Sequence, residues 1–96
     1  METFKDIELK LKTAKPELSK KYFISTLGLF GSVVRNDFTE FSDVDIVIEF
    51  SKPIGVEFID LAEELESLLK RKVDLVSRNG IKQKYFEMIE PEIIYV

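Results

Sequence analysis

The stretch Val44-Asp45-Ile46-Val47-Ile48-Glu49-Phe50 constrains this chain most. Its β-branched and aromatic residues read as a strand, yet a strand interior is a poor place for a carboxylate. Asp43 and Asp45 are two residues apart, so a strand points both to the same face. Like charges side by side repel, and a bound divalent cation is the simplest reason to keep them there. Gly31-Ser32 lies upstream, separated from Asp43 by ten residues.

The remaining pattern places these residues on a small fold. Phe4, Ile7, Leu11 and Ala14 recur at helical spacing, which predicts a helix over residues 4–14. Lys15-Pro16 is expected to end it, with Pro16 opening a second short helix through Tyr22. Residues 24–30 form an apolar run closed by Gly31-Ser32 and read as a buried strand. Ser32 to Arg35 is expected to start a helical turn, and residues 36–42 form a polar loop. A loop that short between strands 24–30 and 44–50 predicts an antiparallel pair. Phe58, Leu61, Ala62, Leu65, Leu68 and Leu69 define an amphipathic helix over residues 56–70. Residues 73–76 read as a third strand, parallel to the second through that helix. Residues 81–89 suggest a short helix and residues 92–96 a last strand. The expected architecture is α+β, a helix layer on a small mixed sheet, as one domain over residues 1–96.

Composition narrows the chemistry. The chain has 96 residues, no Cys and no His. Disulfides, Cys-based zinc sites, imidazole bases and Ser-His-Asp triads are therefore impossible within it. Acid–base or metal chemistry must rest on carboxylates. A net charge of −4 argues against autonomous nucleic-acid binding and favours a basic protein partner. No apolar run reaches transmembrane length, and residues 1–6 lack the features of a signal segment, so a cytoplasmic protein is expected.

Val44, Ile46, Ile48 and Phe50 share one face of the second strand; Asp43, Asp45, Val47 and Glu49 share the other. If the third strand is the in-register neighbour, Asp74 stands beside Asp43 and Asp45. Three carboxylates on one open face suit Mg²⁺ or Mn²⁺, completed by water and substrate phosphates. Taken singly, Ser42-Asp43 fits a turn and Asp74 fits a solvated sheet face. Their recurrence on one face beside a Gly-Ser turn favours a site. Gly31 has no Cβ to bar a ligand, Ser32 offers a hydroxyl and backbone N–H groups, and Arg35 can bind phosphate bidentately. No Lys precedes Ser32, so this is not a Walker loop. Lys70-Arg71-Lys72 fits the cation preference of a helix C-terminus. Lys82 and Lys84 read as solvated, and Glu49 as a rim residue.

Leu27-Gly28-Leu29-Phe30-Gly31-Ser32-Val33-Val34-Arg35 followed by Ser42-Asp43-Val44-Asp45-Ile46-Val47-Ile48 resembles the minimal nucleotidyltransferases of the DNA polymerase β superfamily. Lys72-Val73-Asp74-Leu75-Val76 resembles the strand that bears the family's third carboxylate. The resemblance implies transfer of AMP from ATP to a hydroxyl. It implies Asp43, Asp45 and Asp74 as catalytic ligands of two Mg²⁺ (or Mn²⁺) ions. It also implies Gly31, Ser32 and Arg35 as nucleotide-binding residues. Nearly the whole chain is spent on this core, so the acceptor is expected to bring its own surface. Small members of the family act as antitoxins beside a HEPN ribonuclease toxin, which they AMPylate on tyrosine. That role is the leading expectation. A non-catalytic module that occludes its partner, or a transferase for a small molecule or RNA end, is the alternative.

Overall fold

The computed structural model describes residues 3–35 and 37–96; Asn36, expected in the polar loop, lies outside the described residues, as do Met1 and Glu2. Helix α1 spans Phe4–Tyr22. Its start is a capping box: the Thr3 hydroxyl accepts from the Asp6 N–H (3.3 Å), and the Asp6 carboxylate accepts from the Thr3 N–H (2.9 Å). Its end is Phe23 in the left-handed region, φ 57°.

The expected break at Pro16 does not occur; Pro16 sits inside one continuous helix. The ring removes one intrahelical donor and costs about 3 kcal/mol in a helix interior. Against that, Ile7, Leu11, Leu18 and Tyr22 are all buried on one face of the uninterrupted helix. Each is worth about 1.5–3 kcal/mol buried, and a break at Pro16 would pull half of them away. Pro16 itself is exposed, so its ring meets no core neighbour.

Strand β1 (Ile24–Phe30) leads through a 3-10 turn (Gly31–Val34) and a loop to β2 (Val44–Phe50), its antiparallel partner. Helix α2 (Glu57–Leu69) then carries the chain to β3 (Val73–Ser77), parallel to β2 as expected. A second 3-10 turn (Arg78–Gly80), helix α3 (Gln83–Ile89), a third 3-10 turn (Glu90–Glu92) and β4 (Ile94–Tyr95) follow. The sheet order is β3-β2-β1-β4. The last strand is shorter than the expected 92–96, because Pro91 opens a 3-10 turn through Glu92. Proline has no N–H for a ladder, so pairing starts only beyond it. At the pairing Gly28↔Tyr95, a Cβ on Gly28 would come within 2.5 Å of Ile93 Cγ2, so the edge strand closes only over glycine.

The main core lies between the helices α1 and α2 and one sheet face. Leu27, Leu29, Val44, Ile46 and Ile48 meet Ile7, Leu11, Leu61, Leu65 and Leu69 there. The other face is not fully open. Phe86 and Ile89 of α3 pack on Phe30 and Val47 in a second, smaller cluster. Among the described residues, no helix is long and apolar enough to cross a membrane.

Replacing Pro16 by Ala restores a helix donor without disturbing any buried contact. We expect the variant to be about 1–2 kcal/mol more stable, part of the helical gain being offset by a freer unfolded chain. Thermal or urea unfolding monitored by circular dichroism measures it; an unchanged or lower midpoint would show that the helix already accommodates the ring.

Candidate active site

Strand register assembles the site. Phe30 pairs with Asp45 across β1 and β2, and Asp45 pairs with Asp74 across β2 and β3. The end of β1, where the Gly-Ser turn begins, therefore sits beside Asp45, with Asp74 one strand further on. Gly31 follows at φ +75°, and a Cβ built there would overlap the Asp45 carboxylate. Glycine is required on both counts: the left-handed backbone and the space. Val33 is buried in the main core and anchors the turn, while the Arg35 N–H closes it on the Ser32 carbonyl at 3.1 Å.

Gly31, Arg35, Asp45, Asp74 and Glu92 line a pocket of about 190 Å³, walled by Phe30, Val76, Tyr85 and Ile89. Of the six residues picked out from the sequence, the structure thus brings Gly31, Arg35, Asp45 and Asp74 together. Ser32 is half-buried in the turn and Asp43 is exposed just before β2; neither lines the pocket. Asp43 still acts on Asp45 electrostatically. Its approach is fixed from the side: the Val44 N–H donates to the Lys72 carbonyl at 2.9 Å. Arg71, which the sequence suggested only as a helix-end cation, donates to the carbonyls of Thr39 (3.4 Å), Glu40 (3.4 Å) and Ser42 (3.3 Å). It also lies over the Phe38 ring at 4.5 Å, so it ties down the loop that delivers Asp43.

Glu49 is exposed and lines a different cleft, with Thr26, Arg78 and Glu90. Lys82 and Lys84 are exposed and outside the pocket. Two pocket residues had no signal in the sequence. Tyr85 enters from α3, and Glu92 enters from the turn that displaced the first part of the expected last strand. The Glu92 carboxylate accepts from the Gly31 N–H at 3.0 Å and from Arg35 Nη1 at 3.3 Å. The turn expected to meet an anion therefore does meet one, supplied by the chain itself.

The Asp45 carboxyl is pushed up to about 6, first by burial and then by Asp74 and Asp43, with Arg35 opposing. A half-buried carboxylate crowded by two others offers hard oxygen donors and surplus negative charge, which fits a divalent cation. Among the described residues, no three acidic side chains form a ready-made cation site. The fit rests on the Asp45–Asp74 pair, with Asp43 standing off.

Comparison with known proteins identifies the family and the fold. The family model described as nucleotidyltransferase domain matches residues 11–95. Protein adenylyltransferase MntA of Thermococcus cleftensis is 39% identical over 97 residues, covering 100% of this chain and 98% of that protein. A solved structure, assigned by inference as a minimal nucleotidyltransferase, superposes with a TM-score of 0.83 at 26% identity, over 97% of this chain and 95% of its own. A chain from the complex of a tri-AMPylated Shewanella oneidensis HEPN toxin with MNT antitoxin shares the fold. It has a TM-score of 0.68 at 20% identity, covering 93% of this chain and 70% of that one.

Crowding at Asp45 makes its ionisation costly to the folded state. The folded protein binds this proton more tightly than the unfolded chain, so stability falls as pH rises from about 4 through about 6. In chelator, Asp45→Asn is expected to be more stable than the parent above pH 6, by about 1 kcal/mol once solvent screening of this half-exposed group is allowed for. The difference should vanish below pH 4, where both states carry the proton; melting temperatures across that range test it, and a variant less stable at pH 7.5 would refute it.

Proposed function

Because the chain belongs to the nucleotidyltransferase-domain family, we propose that it transfers AMP from ATP to a tyrosine hydroxyl of a HEPN-type toxin, acting as that toxin's antitoxin. The observation that carries the reading is the in-register Asp45–Asp74 pair facing Gly31 and Arg35 in one pocket. The similarity to MntA over the full chain supports the adenylyl group and a protein acceptor. The fold shared with the antitoxin of an AMPylated HEPN complex supports the partner. The same role places the protein in the cytoplasm.

The residues divide the work. Asp43, Asp45 and Asp74 would hold Mg²⁺, or Mn²⁺, through carboxylate oxygens. Held there, two such ions would supply Lewis-acid activation and charge screening for the transfer. The Gly31 turn would face the triphosphate, Ser32 would offer its hydroxyl, and Arg35 would offset phosphate charge. The acceptor oxygen bonds to the α-phosphorus as the bond to the bridging oxygen breaks, and pyrophosphate leaves. Asp74 is the more exposed of the paired acids and takes the acceptor's proton. Half-buried Asp45 stays behind it, against Gly31.

Incubation with labelled ATP, Mg²⁺ and the toxin, followed by mass spectrometry, should show AMP on a toxin tyrosine. The double variant Asp43→Asn with Asp45→Asn is expected to lose the transfer by about a thousandfold or more. Modification that survives in the double variant would remove the mechanism. Neutralisation of the toxin without modification would instead indicate an occluding module.

A further inference from the structure

We propose that Glu92 is a positioning residue whose carboxylate staples the two ends of the Gly31–Arg35 turn and so aims the guanidinium at the nucleotide's phosphates. The inference rests on the nucleotide-transfer reading of the pocket. Each carboxylate oxygen has its own donor: Oε1 takes the Gly31 N–H at 3.0 Å and Oε2 takes Arg35 Nη1 at 3.3 Å. The two donors bracket the turn, and the acceptor comes from a segment 61 residues away.

Glu92 is itself held firmly. The Ile93 N–H donates to the Glu90 carbonyl at 3.1 Å, Ile93 packs on the Phe30–Val47 cluster, and Ile94 pairs with Leu29 just beyond. Its side chain is 29% exposed against 54% for Arg35, so the part-buried bond to the Gly31 N–H is the firmer arm and the ion pair the looser one. Gly31 has the least restricted backbone of the turn, and it is held at φ +75° with the Asp45 carboxylate where a Cβ would stand. A carboxylate on its N–H restrains it there. Arg35 also reaches exposed Asp37 through Nε at 3.5 Å, a weaker tether. A guanidinium has five donors, so the contact with Glu92 still leaves others for a phosphate.

The opposite role for the same contact is competition: a carboxylate in the phosphate's place would exclude ATP. The two roles predict opposite signs. In the positioning role, Glu92→Gln keeps an acceptor for Gly31 but loses the ionic hold on Arg35. The KM for ATP should then rise about tenfold, as for a lost charge-assisted hydrogen bond, with kcat within about twofold. In an Arg35→Ala background the same change should add nothing further to KM, because Glu92 acts through Arg35. An unchanged or lowered KM, or a full additional rise in that background, would overturn the proposal.

Amide hydrogen exchange reads the staple without any chemistry. In Glu92→Ala the Gly31 amide should exchange about tenfold faster, while those of Leu29 and Ile46 stay protected. Equal Gly31 exchange in variant and parent would overturn the staple. A parent protein that transfers no AMP would refute the nucleotide reading instead, and the amide measurement would then decide the staple alone.

Discussion

Two like charges held side by side by strand register organise this molecule. Asp45 and Asp74 are directly paired on parallel neighbours β2 and β3. Parallel pairing requires a crossover, and α2 is that crossover. Its buried Leu61, Leu65 and Leu69 are the partners of Ile46 and Ile48 on the reverse of the same strand. The apolar alternation that fixes the core therefore also fixes the carboxylates on the opposite face. A slip of one residue would bury Asp45 among leucines, which is far costlier than the repulsion the native register accepts.

The rest of the site follows from that repulsion. Burial and two neighbouring acids hold the Asp45 proton more tightly than usual, and Arg35 is the cation in the pocket. A triphosphate with divalent ions, the ligand proposed above, would bring positive charge for the acids and phosphate oxygens for the remaining guanidinium donors. Glu92 already binds the Gly31 N–H and one nitrogen of Arg35, which holds the turn in shape. The site is thus shaped by groups that are satisfied in pairs across distant segments.

The legibility of this arrangement in the sequence was uneven, for physical reasons. Period-two alternation in Val44–Phe50 and the carboxylates interrupting it identified β2 and its chemical face. The leucine stripe identified α2, and a helix between strands implied parallel pairing. Pro16 misled, because its local preference ignores four buried residues on the same helix face. Expectation also left the carboxylate face open, whereas α3 covers part of it through Phe86 and Ile89. That short helix has too few apolar positions to show where it docks.

The amino-acid order alone determined the kind of chemistry available: no imidazole, no thiol, and acids at alternate positions of an apolar strand beside a glycine turn. These are local facts, set by residue type and the two-residue repeat of a strand. Which acids meet, and who completes the pocket, was decided only by the tertiary structure. Register put Asp74 against Asp45 and left Asp43 off the pocket lining. The C-terminal turn brought Glu92 to residues it is far from in the chain. Pairing between distant segments depends on the packing of the whole core, and no short window of sequence contains it.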